Sequence, residues 1–493
     1  MEAARSVEFS VAMTTPIDAD LRRHLDKGAR QEDLTFAVWR PSSGRRRTTA
    51  VLCRLLLPHE NERVLRGNVA FTADYVQRAL GELQPGEGLA LIHSHLGPGW
   101  QDMSGDDVVA ERDRLAGAAF GRTGLPVVGL TSGTDGSWSA RRWIRVAPRQ
   151  YERDDAATVR VVGSRLRLTF HPKLHPAPLS GANQVATVSV WGDVNQADLV
   201  RARVAIVGLG SVGSLVAEGL ARMGASDLVF IDHDRIEERN LDRTAGARAH
   251  DAVIKRLKVK VADRNFRTVA TASSLTVLQV PYSLLTETGL KAALDADVIF
   301  SCVDRPWPRH VLNAMAYNDL IPVIDGGIYA LVDGDAFVHA NWRIHTVGPG
   351  RGCLTCINAL NRDDVSLDIS GKLDDPDYIK NLPKEKRELL SRRNVFPFSM
   401  AVAAHEILHF VGCICGLERV AGVGPQTYHC YPGEMHVNAN RLCDPDCAYD
   451  ALTARCADLS GNLDPTLATN HGRSRRGRSH PRPAGSSDSL RQA

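Results

Sequence analysis

The run Val204-Ala205-Ile206-Val207-Gly208-Leu209-Gly210-Ser211-Val212-Gly213 constrains this chain more than any other stretch. A short apolar, β-branched segment meets a glycine, two further glycines follow, and Val212–Met223 has helical spacing. The pattern predicts a strand, a tight turn and a helix. Glycines at such a turn let the backbone come close to phosphates at the helix N-terminus. Leu228–Asp232 reads as the next strand, and Asp232 at its end suits a ribose hydroxyl. An NAD or FAD enzyme would show the same turn, so the motif alone sets a nucleotide-binding fold and not a reaction.

The residues that follow narrow the chemistry. Ile231-Asp232-His233-Asp234-Arg235-Ile236-Glu237-Glu238-Arg239-Asn240-Leu241-Asp242-Arg243 is a dense polar cluster beyond that strand, and Lys258 comes soon after. A second strand candidate, Val298–Cys302, leads into Asp304, Arg309 and Asn313, and a third, Pro322–Asp325, into Gly326 and Gly327. Hydride transfer has no use for an arginine, a lysine and a strand-end aspartate converging on a nucleotide. Nucleotidyl transfer does: the cations spread charge from the triphosphate and leaving pyrophosphate, and the carboxylate holds magnesium.

In this order the residues resemble the ThiF/MoeB and ubiquitin-activating (E1-type) family, over roughly Gly192 to Gly327. The resemblance implies a Rossmann-like α/β domain with a mainly parallel sheet, using ATP and Mg2+. It implies that Gly208, Gly210, Gly213, Asp232 and Asp234 hold the nucleotide, that Asn240, Arg243 and Lys258 handle phosphates, and that Asp304 binds magnesium. Lys255 stands where the family usually has a glycine three residues before the lysine. The implied reaction is adenylation of the C-terminus of a ubiquitin-like or sulfur-carrier protein ending in Gly. Full activating enzymes then use a loop cysteine after the zinc-binding pair, yet no cysteine lies between Cys356 and Cys413. Cys302, Cys413 and Cys415 read as packing residues, so the acyl-adenylate is expected to pass to a sulfur donor or a separate conjugating enzyme.

Cys353-Leu354-Thr355-Cys356 and Cys443-Asp444-Pro445-Asp446-Cys447 offer two thiolates each, the donor set of a closed, structural Zn2+ site. Cys430 and Cys456 are alternatives for one ligand, and free buried cysteines are the bland reading.

Nearer the N-terminus, His93 and His95 stand two apart at the end of a predicted strand, Gly88–His93, so both project from one face. Ser104 and Asp107 open a predicted helix, Val108–Phe120, three residues apart. A helix cap alone would account for that pair. Together the residues resemble the JAMM (JAB/MPN) zinc metalloprotease motif, a glutamate followed by HxH and SxxD. The gap from His95 to Ser104 is one residue longer than usual, and Leu96 replaces the customary proline. The resemblance covers about Glu32 to Val146. It implies a catalytic Zn2+ on His93, His95 and Asp107, with Glu32 as general base and Ser104 steadying the oxyanion. Glu60 and Glu62 rival Glu32 for the base. His405-Glu406-Ile407-Leu408-His409 matches the zincin HExxH motif, but its helix, Ser399–Cys415, is apolar on nearly every side and reads as core.

The expected organisation is a JAB/MPN-like α+β domain over 1–150, a linker over 151–190, a ThiF/E1-like domain over 191–456 and a disordered basic tail over 457–493. Strands are expected at Asp33–Trp39, Ala50–Leu57, Val127–Leu130 and Trp138–Val146, with a helix at Thr72–Leu83. The composition, 43% hydrophobic and 24% charged with a net charge of +3, is that of a globular protein with no general affinity for nucleic acid. No apolar run of membrane-spanning length stands out, so a cytoplasmic protein is expected, and the ThiF/E1 resemblance implies a homodimer. Its peptidase would process or deconjugate the partner that the adenylation domain activates. Sulfur-carrier activation for cofactor or cysteine synthesis, or a scaffold with an inactive JAMM domain, are the alternatives.

Overall fold

The computed structural model describes residues 7–26, 31–66, 68–333, 336–383, 394–417, 424–439 and 441–468. Its first half is built on β1 (Glu8–Thr14), α1 (Thr15–Leu25), β2 (Leu34–Ser43), β3 (Arg47–Leu56), β4 (Arg63–Arg66), β5 (Asn68–Phe71), α2 (Ala73–Gly81) and β6 (Gly88–Ser94). After these come α3 (Gly105–Val108), a π-helical segment (Val109–Leu115), α4 (Ala116–Thr123), β7 (Val128–Ser132) and β8 (Trp138–Ala147). The half closes with β9 (Gln150–Asp155), β10 (Thr158–Val162) and β11 (Leu166–Phe170). Nine strands form one mixed sheet in the order β11-β10-β1-β3-β2-β6-β7-β8-β9, and β4 and β5 pair apart from it.

Strand alternation explains how that sheet is covered. Phe9, Val11 and Met13 of β1 face one side and pack with Leu21 and Leu25 of α1. Thr14 caps α1 by accepting from the Ile17 N–H, and Pro16 sits in the first turn, where its missing N–H costs nothing. On the other face, Phe36, Val38 and Leu91 pack with Tyr75 and Ala79 of α2 and with Leu115 to Ala119 of the following helix.

The second half contains α5 (Val185–Arg201), β12 (Arg203–Val207), α6 (Ser211–Arg222), β13 (Asp227–Ile231), β14 (Thr276–Val280), β15 (Val298–Ser301), β16 (Val323–Asp333), β17 (Ala336–Val347), β18 (Gln426–His429) and β19 (Glu434–Val437). The sheet order is β14-β13-β12-β15-β16-β17-β18-β19. Strands β14 to β16 are parallel to one another, and from β16 onward every pairing is antiparallel. The sheet is therefore mixed rather than mainly parallel, with the Rossmann-like strands on one side.

The halves share a core. Ala12, Val51 and Val162 of the first sheet pack with Leu199, Val204 and Leu220 of the second half. Beside them, Asp297 is buried between two guanidinium groups, 2.6 Å from Arg47 and 3.0 Å from Arg160. Arg203 joins the halves through Glu8 at 3.0 Å, and Ser42 donates to Asp319 at 2.7 Å.

Three expectations need correction. The boundary at residue 150 falls in the β8–β9 hairpin, and the first sheet runs on to Phe170, with β10 in its interior beside β1. The expected tail is packed as far as residue 468: Leu459 is buried, and Trp307 Nε1 donates to the Asn462 carbonyl at 2.8 Å. Residues 469–493 lie outside the described residues. The helix Phe396–Cys415 does have the length and apolar composition of a membrane-crossing helix, although most of it is buried inside the protein.

Candidate functional site

Local sterics build the glycine turn. Gly208 has φ +89°, and a Cβ there would lie 2.5 Å from the Cys302 carbonyl oxygen. A Cβ on Gly213 would lie 1.9 Å from the Gly208 carbonyl oxygen, so α6 approaches the turn as closely as its backbone allows. Gly210 caps α6 without a side chain and faces open space, leaving the first helical N–H groups exposed to a ligand. Asp232 pins the turn from the next strand: one carboxylate oxygen accepts from the Leu209 N–H and the other from the Asp234 N–H, both at 2.7 Å.

Lys258 completes this corner. Its Nζ is 2.8 Å from an Asp234 oxygen, and its own N–H donates to the Asp234 carbonyl. Burial pushes the ammonium pKa down, but Asp232, Asp234 and Asp304 together hold it above the usual lysine range. Asp304, just beyond β15, therefore shares the field of the same cation. Asn240 closes a turn by accepting from the Glu237 N–H at 2.9 Å. Arg243 is partly exposed and pairs with its neighbour Asp242 at 2.8 Å. The structure thus brings Asp232, Asp234, Lys258 and Asp304 together at the turn and holds Asn240 and Arg243 in contacts of their own.

A buried cluster lies behind this corner. Asp325 ends the parallel part of β16 and takes Arg343 at 2.6 Å, Arg309 at 3.2 Å and Ser301 at 2.8 Å. Glu406 approaches Gly326 so closely that a Cβ there would meet its Oε1 at 2.4 Å. Burial, and then the neighbouring Asp325, push the Glu406 carboxyl well above the usual range. Cys302 touches Glu406 at 3.7 Å, and burial drives its thiol pKa well up, which suits packing and not nucleophilic attack. Sequence reasoning passed over Arg343, which stands at no motif position, and Glu406, which is hidden inside the HExxH decoy.

That decoy resolves into separate contacts. His405 Nδ1 lies 3.0 Å from the Ala401 carbonyl, His409 Nδ1 lies 3.0 Å from Thr346 Oγ1, and Glu406 turns to Cys302.

The four cysteines of the two pairs do meet. Their sulfurs all lie within 4.8 Å of one another, with Cys353 and Cys447 at 3.6 Å. A tetrahedral Zn2+ with bonds of about 2.3 Å separates its sulfurs by roughly 3.8 Å, so the donor set fits. Backbone N–H groups of Cys353 and Asp444 point at the Cys443 and Cys356 sulfurs, as thiolates require. Cys456 instead lies against the Arg40 and Asn318 carbonyls, and Cys430 is outside the cluster.

His93, His95 and Asp107 also converge. The two Nε2 atoms are 3.2 Å apart, and each is 3.2 Å from an Asp107 oxygen. Zinc with nitrogen and oxygen ligands at about 2.0–2.1 Å imposes a tetrahedral edge of roughly 3.3 Å, so these donors too fit a metal. Ser104 and Asp107 form a capping box, and the side chain of Asp107 faces both the cap and the histidines. Leu34 pairs with His93 in the β2–β6 ladder, and the Ser94 N–H donates to the Asp33 carbonyl. Glu32 lies just before β2, and its carbonyl accepts from Gln31 Nε2 at 2.8 Å. Glu62 is bound to Arg78 at 2.6 Å and Glu60 is exposed in a turn.

The corner and its sheet define a nucleotide-binding α/β domain. The sequence pattern of the ThiF family matches residues 182–439, and the chain belongs to that family. Over 176 residues it is 28% identical to the molybdopterin-synthase adenylyltransferase of Escherichia coli (strain K12), covering 33% of this chain and 66% of that protein. It is 28% identical over 183 residues to ubiquitin-like modifier-activating enzyme 5 of Xenopus laevis, covering 34% of this chain and 44% of the relative. The sulfur carrier protein ThiS adenylyltransferase of Bacillus subtilis (strain 168) is also 28% identical over 185 residues, covering 36% and 51%. The chain thus spans less than half the length of the Xenopus relative. Among solved structures, Escherichia coli MccB with ATP is 19% identical, covers 55% of this chain and 74% of its own, and superposes with a TM-score of 0.43. The family pattern falls on the second half of the chain.

Proposed function

We propose that this protein adenylates the C-terminal carboxylate of a ubiquitin-like or sulfur-carrier protein at the expense of ATP. The observation that carries the reading is the placement of Lys258 among Asp232, Asp234 and Asp304 at the glycine turn. The open N–H groups of α6 suit the phosphates, and Asp232 suits the ribose once the nucleotide competes for its oxygens. Attack of the substrate carboxylate on the α-phosphorus forms a mixed anhydride with AMP and releases pyrophosphate. Lys258 spreads the charge that gathers on the departing phosphates. Asp304 would hold Mg2+, which when bound neutralises phosphate charge. Relatives named for activating a ubiquitin-like modifier and for adenylating a sulfur carrier support both partner classes equally. A thioester on this chain is disfavoured by the Cys302 environment and by Cys415, whose thiol burial pushes up to about 11. ATP–pyrophosphate exchange driven by a Gly-Gly-ended ubiquitin-like protein tests the reading. Lys258→Ala and Asp304→Ala should each lower it by about 100-fold or more, and exchange that survives both would remove the assignment.

A second reading concerns the first half and rests on the convergence of His93, His95 and Asp107. We propose a JAMM-type zinc peptidase that trims or deconjugates the same partner. Bound zinc would supply an acidified water; Glu32 would serve as the general base and Ser104 would donate to the developing oxyanion. His95→Ala should abolish cleavage of a partner–extension fusion, and cleavage that persists would reduce the first half to a scaffold.

A further inference from the structure

The chain that enters the helix Phe396–Cys415 reaches the glycine turn through one side chain. Asn394 Nδ2 donates to Ser211 Oγ at 2.8 Å and to Ser399 Oγ at 2.9 Å. Ser211 is the first residue of α6, and Ser399 is fully buried in the first turn of the other helix. Ser399 in turn donates to the Asn394 amide oxygen at 3.2 Å, so both ends of the amide are held. Farther along, a Cβ on Gly219 would lie 2.4 Å from Ile407 Cδ1. Ser211 to Gly219 and Ser399 to Ile407 are equal steps along the two helices, so the helices lie side by side and run in the same direction. Ser214 Oγ accepts from the Ala245 N–H at 3.0 Å, which ties the loop carrying Arg243 to the same first turn of α6.

Two helices running in one direction bring two positive N-terminal ends together, and an anion beside them relieves the repulsion. No side chain caps either end. The Ser211 oxygen is occupied as an acceptor by Asn394, whose amide nitrogen can only donate. Among the described residues Ser211 Oγ has no other hydrogen-bond partner, so its proton is left to donate. The side chain is half-buried beside the open N–H groups of α6. An acceptor for that proton has to arrive with the ligand. A phosphate oxygen seated on those N–H groups is such an acceptor, and it takes nothing from the bond that Asn394 makes.

We propose that Ser211 binds a phosphate oxygen of the nucleotide through its hydroxyl, which the positioning residue Asn394 turns toward the phosphates. This rests on reading the glycine turn as an ATP site. The test is calorimetric titration of the full chain with ATP and Mg2+, and with adenosine, which lacks the phosphates, measured by displacement of ATP. Ser211→Ala should weaken ATP by about tenfold or more and leave adenosine within about threefold. Asn394→Ala frees the hydroxyl to rotate and should weaken ATP by about three- to tenfold. The two losses should not add: once Ser211 is alanine, Asn394→Ala should cost ATP almost nothing further. If Asn394→Ala unfolds, Asn394→Asp serves instead, because it keeps the shape, draws the Ser211 proton to itself, and should weaken ATP and not adenosine. Unchanged ATP affinity in Ser211→Ala, or an equal loss for adenosine, overturns the proposal. Full additivity in the double variant overturns the part given to Asn394. An unmutated chain that takes up no ATP overturns the reading of the turn and the proposal with it, a result distinct from the others.

Discussion

Gly213 shows how little freedom the nucleotide corner has. A single methyl there would collide with the Gly208 carbonyl at 1.9 Å, and backbone cannot yield as a side chain can. Gly213→Ala should therefore cost at least about tenfold in ATP affinity by calorimetry, with the zinc content unchanged. The glycines, Asp232, Asp234 and Lys258 were readable because the local chain forces their positions. Glu406 and Arg343 were not, since their meaning depends on Asp325, which reaches them only through tertiary packing. Two buried imidazoles give the protein a pH signature. Burial holds the His345 pKa down at about 4 and that of His409 at about 3, the latter helped by the charges of His345 and Arg351. Below about pH 6.5 the unfolded chain takes up protons that these folded sites refuse, so stability falls with pH. Asp319 opposes this, because burial raises its carboxyl to about 6 and it gains stability as pH drops. Glu406, whose carboxyl burial also raises, opposes it too, so the part that His409 contributes, a loss of about 2 kcal/mol between pH 7 and pH 5 in urea unfolding, is read as the difference from a variant without that imidazole. His409→Phe, if it folds, should flatten that slope.

Elements set local order where their pattern is local. The strands around His93 and the helix capped by Thr72 follow alternation and capping that the sequence displays directly. No strand was expected at β1, whose apolar run Glu8, Ser10 and Thr14 break, yet it lies in the interior of the sheet. Glu8 meets Arg203 of the second half, a demand that no local window contains, while Ser10 bonds Thr49 of the neighbouring strand and Thr14 caps α1. The same holds for β10 and β11, read as linker. The four-cysteine cluster joins the loop after β17 to the segment after β19, elements far apart in sequence. Cys447→Ser should release one Zn2+ per chain and lower the melting temperature by several degrees, a loss of about 2 kcal/mol or more. An unchanged zinc content by mass spectrometry would show that these thiols hold no metal.

At the scale of the molecule, the two halves are joined through buried charge as well as through a shared apolar core. Asp297 balances Arg47 and Arg160; removing it leaves Arg160 without its paired carboxylate and Arg47 with Glu8 alone. Asp297→Ala should cost about 3–5 kcal/mol in urea unfolding, with both halves losing structure in one transition. Two separated transitions in the unmutated protein would show that the halves fold independently. The central claim is chemical, and the product reports on it directly. Incubated with ATP, Mg2+ and a ubiquitin-like protein ending in Gly-Gly, the full chain should convert that partner to a species heavier by AMP less water in its intact mass. Lys258→Ala should give none. A partner left unmodified while ATP is bound, or modified equally by Lys258→Ala, would contradict the account.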